Sequence, residues 1–137
     1  MTNRYGIVET ENAKWAFEKV KSVSNESYSG KYKSYIKKMP MLIKVNGLAA
    51  TLAFILSKSL SKNGEDSDEK KAYKKIGDQI IEFINKNNNW NCRELKEVVE
   101  RIVSLNSLEY RENVEKINNI LYWMKRFVDG LIKKEGD

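Results

Sequence analysis

The spacing of apolar residues limits this chain to one fold class. Across its 137 residues, apolar side chains recur every three or four positions nearly everywhere, and no segment alternates between apolar and polar residues as a strand would. Only one proline interrupts the pattern. The length suits one domain with a single core. We therefore predict an all-α fold, in which residues 1–137 form one compact bundle of about five to seven helices.

Sequence signals divide the N-terminal half into three predicted helices. The first runs from about Ile7 to Ser24. The second covers about Gly30 to Lys38, because the residue before Pro40 is pushed out of the helical region and proline suits the start of a new helix. The pair Asn46-Gly47 marks the next junction, where we expect the asparagine to cap a helix over Leu48–Leu60. That third helix is apolar nearly all round, which predicts a place at the centre of the core.

The first helix has one predicted core face, which comprises Ala13, Ala16, Phe17, Val20 and Val23. Trp15 projects from the opposite, polar side with Glu11 and Glu18. A large aromatic residue on a polar face indicates contact with a partner, but a neighbouring helix or loop that covers the ring explains it equally well. Trp15 is therefore our candidate for a subunit interface.

The C-terminal half shows the signals of three more helices. Asp66 and Glu69 form a capping box for a helix that runs to about Asn85. Asn91 repeats the cap signature after an asparagine-rich turn, and Ser107 is the expected cap of the last helix. An apolar stripe follows that last cap for about six turns.

Positive charge is concentrated in one segment. The chain has a formal net charge of +6, whereas the 18 basic and 19 acidic side chains outside residues 27–64 sum to −1. Residues 27–64 contain no Asp or Glu. A concentrated basic region suggests a polyanionic partner such as nucleic acid, with solvated lysines around a core helix as the alternative. We call its seven lysines the lysine belt: Lys31, Lys33, Lys37, Lys38, Lys44, Lys58 and Lys62.

Residue composition removes several classes of chemistry. The chain has no His and a single Cys, Cys92, which excludes histidine catalysis, disulfides and thiolate or imidazole metal clusters. It also has no glycine-rich phosphate loop. We therefore predict a protein with no catalytic residues, metal or cofactor. The longest apolar run, Leu48–Leu56, is too short to span a membrane and no signal peptide is visible, so we expect a cytoplasmic protein.

A block of motifs in the N-terminal half resembles a known family. The block consists of YKSYIKKMP at Tyr32–Pro40, then Ile43, Asn46–Leu48 and Leu52–Phe54, preceded by AKWAFEKV at Ala13–Val20. It resembles the signature of the small helical subunit of type III-B CRISPR effector complexes, the fifth member of the Cmr series. The proline junction, the Asn-Gly junction and their spacing make the likeness specific. The C-terminal half shares only a generic helical pattern.

This resemblance implies a role in antiviral defence. It implies a non-catalytic subunit that stacks in several copies beside the backbone of a ribonucleoprotein complex and helps to hold target RNA. The implied partners are the other subunits of the Cmr complex, further copies of this chain, CRISPR RNA and target RNA. Target cleavage belongs to other subunits of such complexes, which agrees with the lack of catalytic residues.

Lysines near the helix junctions are the predicted RNA-binding residues. Twenty of the 25 basic residues are Lys, which favours attraction to phosphates over readout of base edges. Tyr32 and Tyr35 could stack on bases, but their alignment with Ile36 and Met39 favours burial. The first choices for phosphate contact are Lys33, Lys37, Lys38 and Lys44, and the second choices are Lys14, Lys21 and Lys58.

Three other functions compete with this interpretation. The nearest is the small subunit of the related type III-A complex, which is also helical and basic. A second is a protein-binding helical scaffold without direct RNA contact, whose lysines only keep it soluble. An unrecognised nuclease is the third.

Overall fold

A computed structural model describes residues 4–60 and 66–134, with side chains from residue 9 onward. Every regular element in these residues is a helix, which confirms the all-α prediction. No helix in this part of the chain has both the length and the apolar character needed to cross a membrane. The six helices are α1 (Arg4–Val23), α2 (Ser29–Asn46), α3 (Leu48–Ser59), α4 (Asp68–Asn88), α5 (Leu95–Val103) and α6 (Ser107–Leu131).

Two helices connect the rest of the bundle. Helix α2 packs against α3, α4 and α6, and α4 packs against α2, α3, α5 and α6. The apolar helix α3 buries Leu48, Leu52 and Ile55 but exposes Ala50 and Ala53, so it shares the centre of the core with α4. Helix α1 lies along α6.

Helix α2 passes through Pro40 without ending, so the predicted end of the second helix near Lys38 is wrong. Proline removes one backbone hydrogen bond from a helix and crowds the preceding turn. The apolar stripe of α2 nevertheless continues on both sides of it, because Ile36 and Met39 before the proline and Ile43 after it are all buried. The free energy gained by burying these side chains outweighs the local cost of the proline. The sequence signal at Pro40 reflects only that local cost.

Gly47 makes the junction between α2 and α3. Its backbone angles, φ 89° and ψ 162°, lie in a region that only glycine adopts without strain. Asn46 is the last residue of α2 and makes no side-chain cap, so its predicted capping role is wrong. The Tyr110 hydroxyl of α6 instead accepts a hydrogen bond of 3.0 Å from the Ala49 N–H at the start of α3. A distant helix thus supplies the cap.

Two other predicted caps are displaced by one residue. The side chain of Ser67, rather than Asp66, accepts the Lys70 N–H at the start of α4. The side chain of Asn106, rather than Ser107, accepts the Glu109 N–H at the start of α6. Asp, Ser and Asn all have high preferences for the capping position, so neighbouring candidates are similar in this respect. The direction in which the chain enters the helix determines which of them caps it.

The burial of α1 differs most from the prediction at Phe17, and Ala13 is only half-buried. Ala16, Val20 and Val23 are fully buried, whereas Phe17 is exposed over 39% of its surface. The Phe17 ring meets the Phe127 ring of α6 edge to face at 5.4 Å. Phe17 therefore lies at the margin of the contact between α1 and α6 and not in the core.

The conformation of Gly47 gives a testable stability difference. We expect Gly47→Ala to lower the free energy of unfolding by about 1–3 kcal/mol, because a Cβ atom is strained at this positive φ. Gly130→Ala is the matched control, since Gly130 is helical with open space around it, and alanine should raise the stability by about 0.5–1 kcal/mol. Urea denaturation should show midpoint shifts of opposite sign with unchanged slopes. Equal denaturation midpoints for the two variants would show that the positive φ of Gly47 does not strain an alanine there.

Candidate nucleic-acid interface

The lysine belt divides between the two flanks of α2. Successive helical residues are about 100° apart, so Lys33, Lys37 and Lys44 fall within about 40° of one another. Lys38 lies about 100° or more away from that group, on the other side of the helix. The first flank faces α6 and the second faces α3 and α4, as the contacts below show. The belt is therefore not one surface, and Lys62 lies outside the described residues.

Lys33 is buried, and its placement on a phosphate-binding surface is wrong. Only 6% of the residue is exposed. Its ammonium group donates a hydrogen bond of 3.1 Å to the carbonyl oxygen of Ile132, just beyond the end of α6. A helix end leaves carbonyl groups without intrahelical partners, and a lysine ammonium satisfies such a group well. This hydrogen bond from Lys33 thus connects α2 to the end of α6.

Asp129 of α6 lies among three lysines. The Lys37 ammonium is 2.9 Å from its carboxylate. The hydrogen bond from Lys37 lowers the pKa of Asp129, and the charges of Lys37, Lys33 and Lys125 lower it further. One carboxylate offsets one of these positive charges, so the flank of α2 that faces α6 stays basic.

An open groove of about 500 Å³ lies between the C-terminal half of α2 and the middle of α6. Its base is apolar, since Ile43 is buried and Val114 is half-buried. Exposed lysines stand on both sides, Lys44 from α2 and Lys125 from α6. None of its lining residues in the described part of the chain is acidic. We call this site the α2–α6 groove, and its lining residues are Pro40, Ile43, Lys44, Val114, Asn118, Tyr122 and Lys125.

Tyr122 adds an aromatic surface to this groove. Half of the side chain is exposed, and the guanidinium of Arg126, one turn further along α6, lies 5.3 Å from the centre of its ring. Tyr122, Lys125 and Arg126 are not among the residues predicted from the sequence, because the apolar stripe is the dominant signal of this helix. The available signal was their spacing of three and four residues, which places them on one side of a helix.

A second basic and aromatic cluster lies on the opposite flank of α2. The Lys38 ammonium is 4.9 Å from the centre of the Tyr35 ring, and the Lys58 ammonium is 5.7 Å from that of Phe54. The Tyr35 ring stacks on Tyr73 at 4.0 Å, and burial raises the pKa of Tyr73 to about 12. Lys38 and Lys58 thus lie over aromatic rings and do not line the α2–α6 groove.

Burial, which the sequence favours over base stacking for Tyr32 and Tyr35, leaves neither of them an open ring. Tyr32 is fully buried, and its hydroxyl donates a hydrogen bond of 2.6 Å to the Gln79 side chain. Gln79 in turn donates to the backbone carbonyl of Lys19 on α1. Tyr32 is thus a core residue that connects α2, α4 and α1. Tyr35 is partly buried and covered by Tyr73.

The candidate residues on α1 lie away from the groove. Lys14 and Lys21 are exposed on α1, which packs along the side of α6 that carries Phe127 rather than the side that carries Lys125. Trp15 is partly buried and packs against Phe83 of α4, with ring centres 5.4 Å apart. Of the two explanations offered for Trp15, cover by a neighbouring helix is therefore the one seen, because α4 covers one side of the ring. Its role as a subunit contact stays a prediction.

Comparisons with known proteins agree on one family. The family model described as CRISPR-associated protein (Cas_Cmr5) matches residues 8–131. A relative from Thermus thermophilus named CRISPR system Cmr subunit Cmr5 is 27% identical over 122 residues, covering 89% of this chain and 93% of that protein. The X-ray crystal structure of a CRISPR-associated Cmr5 family protein, also from Thermus thermophilus, is similar with a TM-score of 0.71 at 25% identity. That match covers 91% of this chain and 97% of the other.

The burial of Lys33 predicts an effect on stability. Lys33→Met keeps the apolar stem but leaves the Ile132 carbonyl without its ammonium donor, so we expect a loss of about 1–3 kcal/mol in the free energy of unfolding. Lys44→Met is the matched control, and because Lys44 is exposed it should change stability by less than about 0.5 kcal/mol. Chemical denaturation measures both. Equal effects of the two substitutions would show that Lys33 is not a structural residue.

Proposed function

Because this chain belongs to the Cmr5 family of CRISPR-associated proteins, we propose that it holds target RNA in a type III-B effector complex. In this proposal, several copies stack along the complex and help to keep target RNA beside the CRISPR RNA in antiviral defence. The chain acts by binding and positioning RNA, and cleavage belongs to other subunits. Its partners are the other Cmr subunits, further copies of itself, CRISPR RNA and target RNA.

The α2–α6 groove is the observation that supports RNA contact. Lys44 and Lys125 stand on its two sides, and the described residues that line it include no carboxylate. Lysine ammonium groups attract phosphates as point charges and do not read base edges, so the groove suits RNA of any sequence. A subunit that serves many different guide and target sequences requires such an interaction.

Weak binding by one copy is part of the proposal. A groove with a few exposed lysines neutralises only a few phosphates, so the affinity of a single copy is low and falls steeply with salt. When copies are arranged along one RNA strand, binding by one copy raises the effective concentration of RNA at the next copy. The stacked assembly therefore binds RNA more tightly than the sum of separate copies would suggest.

The outer face of α2 supports contact with neighbouring subunits. Met41 and Val45 lie one turn apart and are exposed over 59% and 73% of their surfaces. Two adjacent exposed apolar side chains beside a basic groove suit a protein contact that brings the groove close to RNA. We propose this face as a subunit contact in addition to Trp15.

Incorporation into the complex tests the assembly part of the proposal. We expect Met41→Ser combined with Val45→Ser to lower the number of copies of this chain in a complex co-expressed with the other Cmr subunits and CRISPR RNA. Native mass spectrometry counts the copies. Val103→Ser is the matched control, since Val103 is 62% exposed on α5 and should leave the count unchanged. Full incorporation of the double variant would remove the outer face of α2 from the interface.

Salt-dependent RNA binding tests the groove. We expect Lys44→Gln with Lys125→Gln to weaken binding to a labelled single-stranded RNA and to lower the magnitude of the slope of log affinity against log salt by about 1.4, because two phosphate contacts are lost. Fluorescence anisotropy across a potassium chloride titration measures both quantities. Lys14→Gln with Lys21→Gln is the matched control, because it removes the same charge from α1.

A variant that removes a negative charge gives a second test of the groove. Asp129→Asn removes the carboxylate that pairs with Lys37, so it should raise RNA affinity and steepen the salt dependence. If the groove variant and the α1 variant weaken binding equally, binding follows net charge and the groove is not the site.

A further inference from the structure

We propose that Tyr122 stacks on RNA bases and thereby makes the α2–α6 groove a site for an unpaired strand. This inference rests on the proposed RNA-holding function and specifies which form of RNA the groove accepts. It adds an attraction to the bases beside the attraction of the lysines to phosphates.

Tyr122 is the most exposed aromatic side chain among the described residues. It is exposed over 50% of its surface, against 39% for Phe17, which packs at the α1 side of α6. Its ring lines the groove between Asn118 and Lys125, one turn away on either side along α6. A large aromatic surface left accessible in a basic groove is available to a ligand rather than to the core.

Neighbouring side chains hold the Tyr122 ring in place. The Arg126 guanidinium lies 5.3 Å from the ring centre, and the Trp123 ring meets it nearly edge to face at 5.5 Å and 76°. These contacts limit the rotation of the side chain before any ligand binds, which reduces the entropy lost on binding. The guanidinium over the ring also adds positive charge at this site, and single-strand binding sites combine arginine with stacking aromatic rings in this way.

The geometry favours an unpaired strand over a duplex. Bases in an RNA duplex stack on one another, so their faces are not available to a protein side chain, whereas bases in a single strand are free to stack on an aromatic ring. In the groove, Lys44 and Lys125 contact the phosphates, Tyr122 contacts a base face, and the exposed amide of Asn118 lies within the same groove for a hydrogen bond to the nucleotide. Every base has such a face, so this contact carries no sequence preference.

A comparison of three RNA probes with the purified full chain tests this inference. The probes are a labelled oligouridine, a ribose-phosphate chain of the same length without bases, and a blunt hairpin with the same number of phosphates. We expect the parent chain to bind oligouridine at least about fivefold more tightly than either of the other two, in line with the usual strength of one base–aromatic stack.

Variants at Tyr122 separate stacking from charge. Tyr122→Leu should abolish the preference for oligouridine and leave the slope of affinity against salt unchanged, because no phosphate contact is lost. Tyr122→Trp should retain the preference. Phe17→Leu is the matched control at the other partly exposed aromatic residue and should behave as the parent.

The outcomes distinguish this inference from the proposed function. Binding by the parent that depends on Lys44 and Lys125 but is equal for oligouridine and the base-free chain overturns the stacking role and leaves the RNA-holding function standing. Unchanged oligouridine binding by Tyr122→Leu does the same. A parent chain that binds none of the probes even at low salt overturns both.

Discussion

The burial of one face of α2 determines where the lysines of this protein lie. Tyr32, Ile36 and Met39 are fully buried against the neighbouring helices, and Ile43 continues this face beyond Pro40. Once this stripe is fixed, helical geometry assigns every other residue of α2 to a flank. The lysine-rich segment is therefore split into a flank that faces α6 and a flank that faces α3 and α4. Charge concentrated along the sequence becomes two separate surfaces because the core requires α2 to lie in this orientation.

The fold could be predicted from sequence to the level of its helices, and the errors have local causes. Apolar periodicity identifies all six helices, because each buries one face against the others. The proline signal is misleading at Pro40, where packing on both sides outweighs the lost hydrogen bond. The capping signal is misleading at Asn46, because the cap of α3 comes from Tyr110, which lies far along the chain. Signals within a few residues cannot reveal a partner that only the folded state brings near.

The candidate site could be predicted only in part for the same reason. The sequence places Lys44 beside a helix junction, but the opposite side of its groove, Lys125 and Tyr122, belongs to the last helix. Lys33 and Lys44 lie in the same segment without acidic residues, yet Lys33 is buried because the end of α6 lies over it. Net charge along a sequence identifies a basic segment. Which of its ammonium groups reach solvent depends on contacts between α2 and α6, and these are not encoded in the segment itself.

The same contacts keep the two walls of the groove at a fixed separation. Helices α2 and α6 run antiparallel, and at one end Lys33 bonds to the Ile132 carbonyl while Lys37 pairs with Asp129. At the other end, Tyr110 accepts the Ala49 N–H at the start of α3. Helix walls held at both ends keep Lys44, Lys125 and Tyr122 in their relative positions without a ligand, so the proposed RNA binding would cost less conformational entropy. In that proposed role the buried Lys33 acts indirectly, by fixing the helices that carry the exposed lysines.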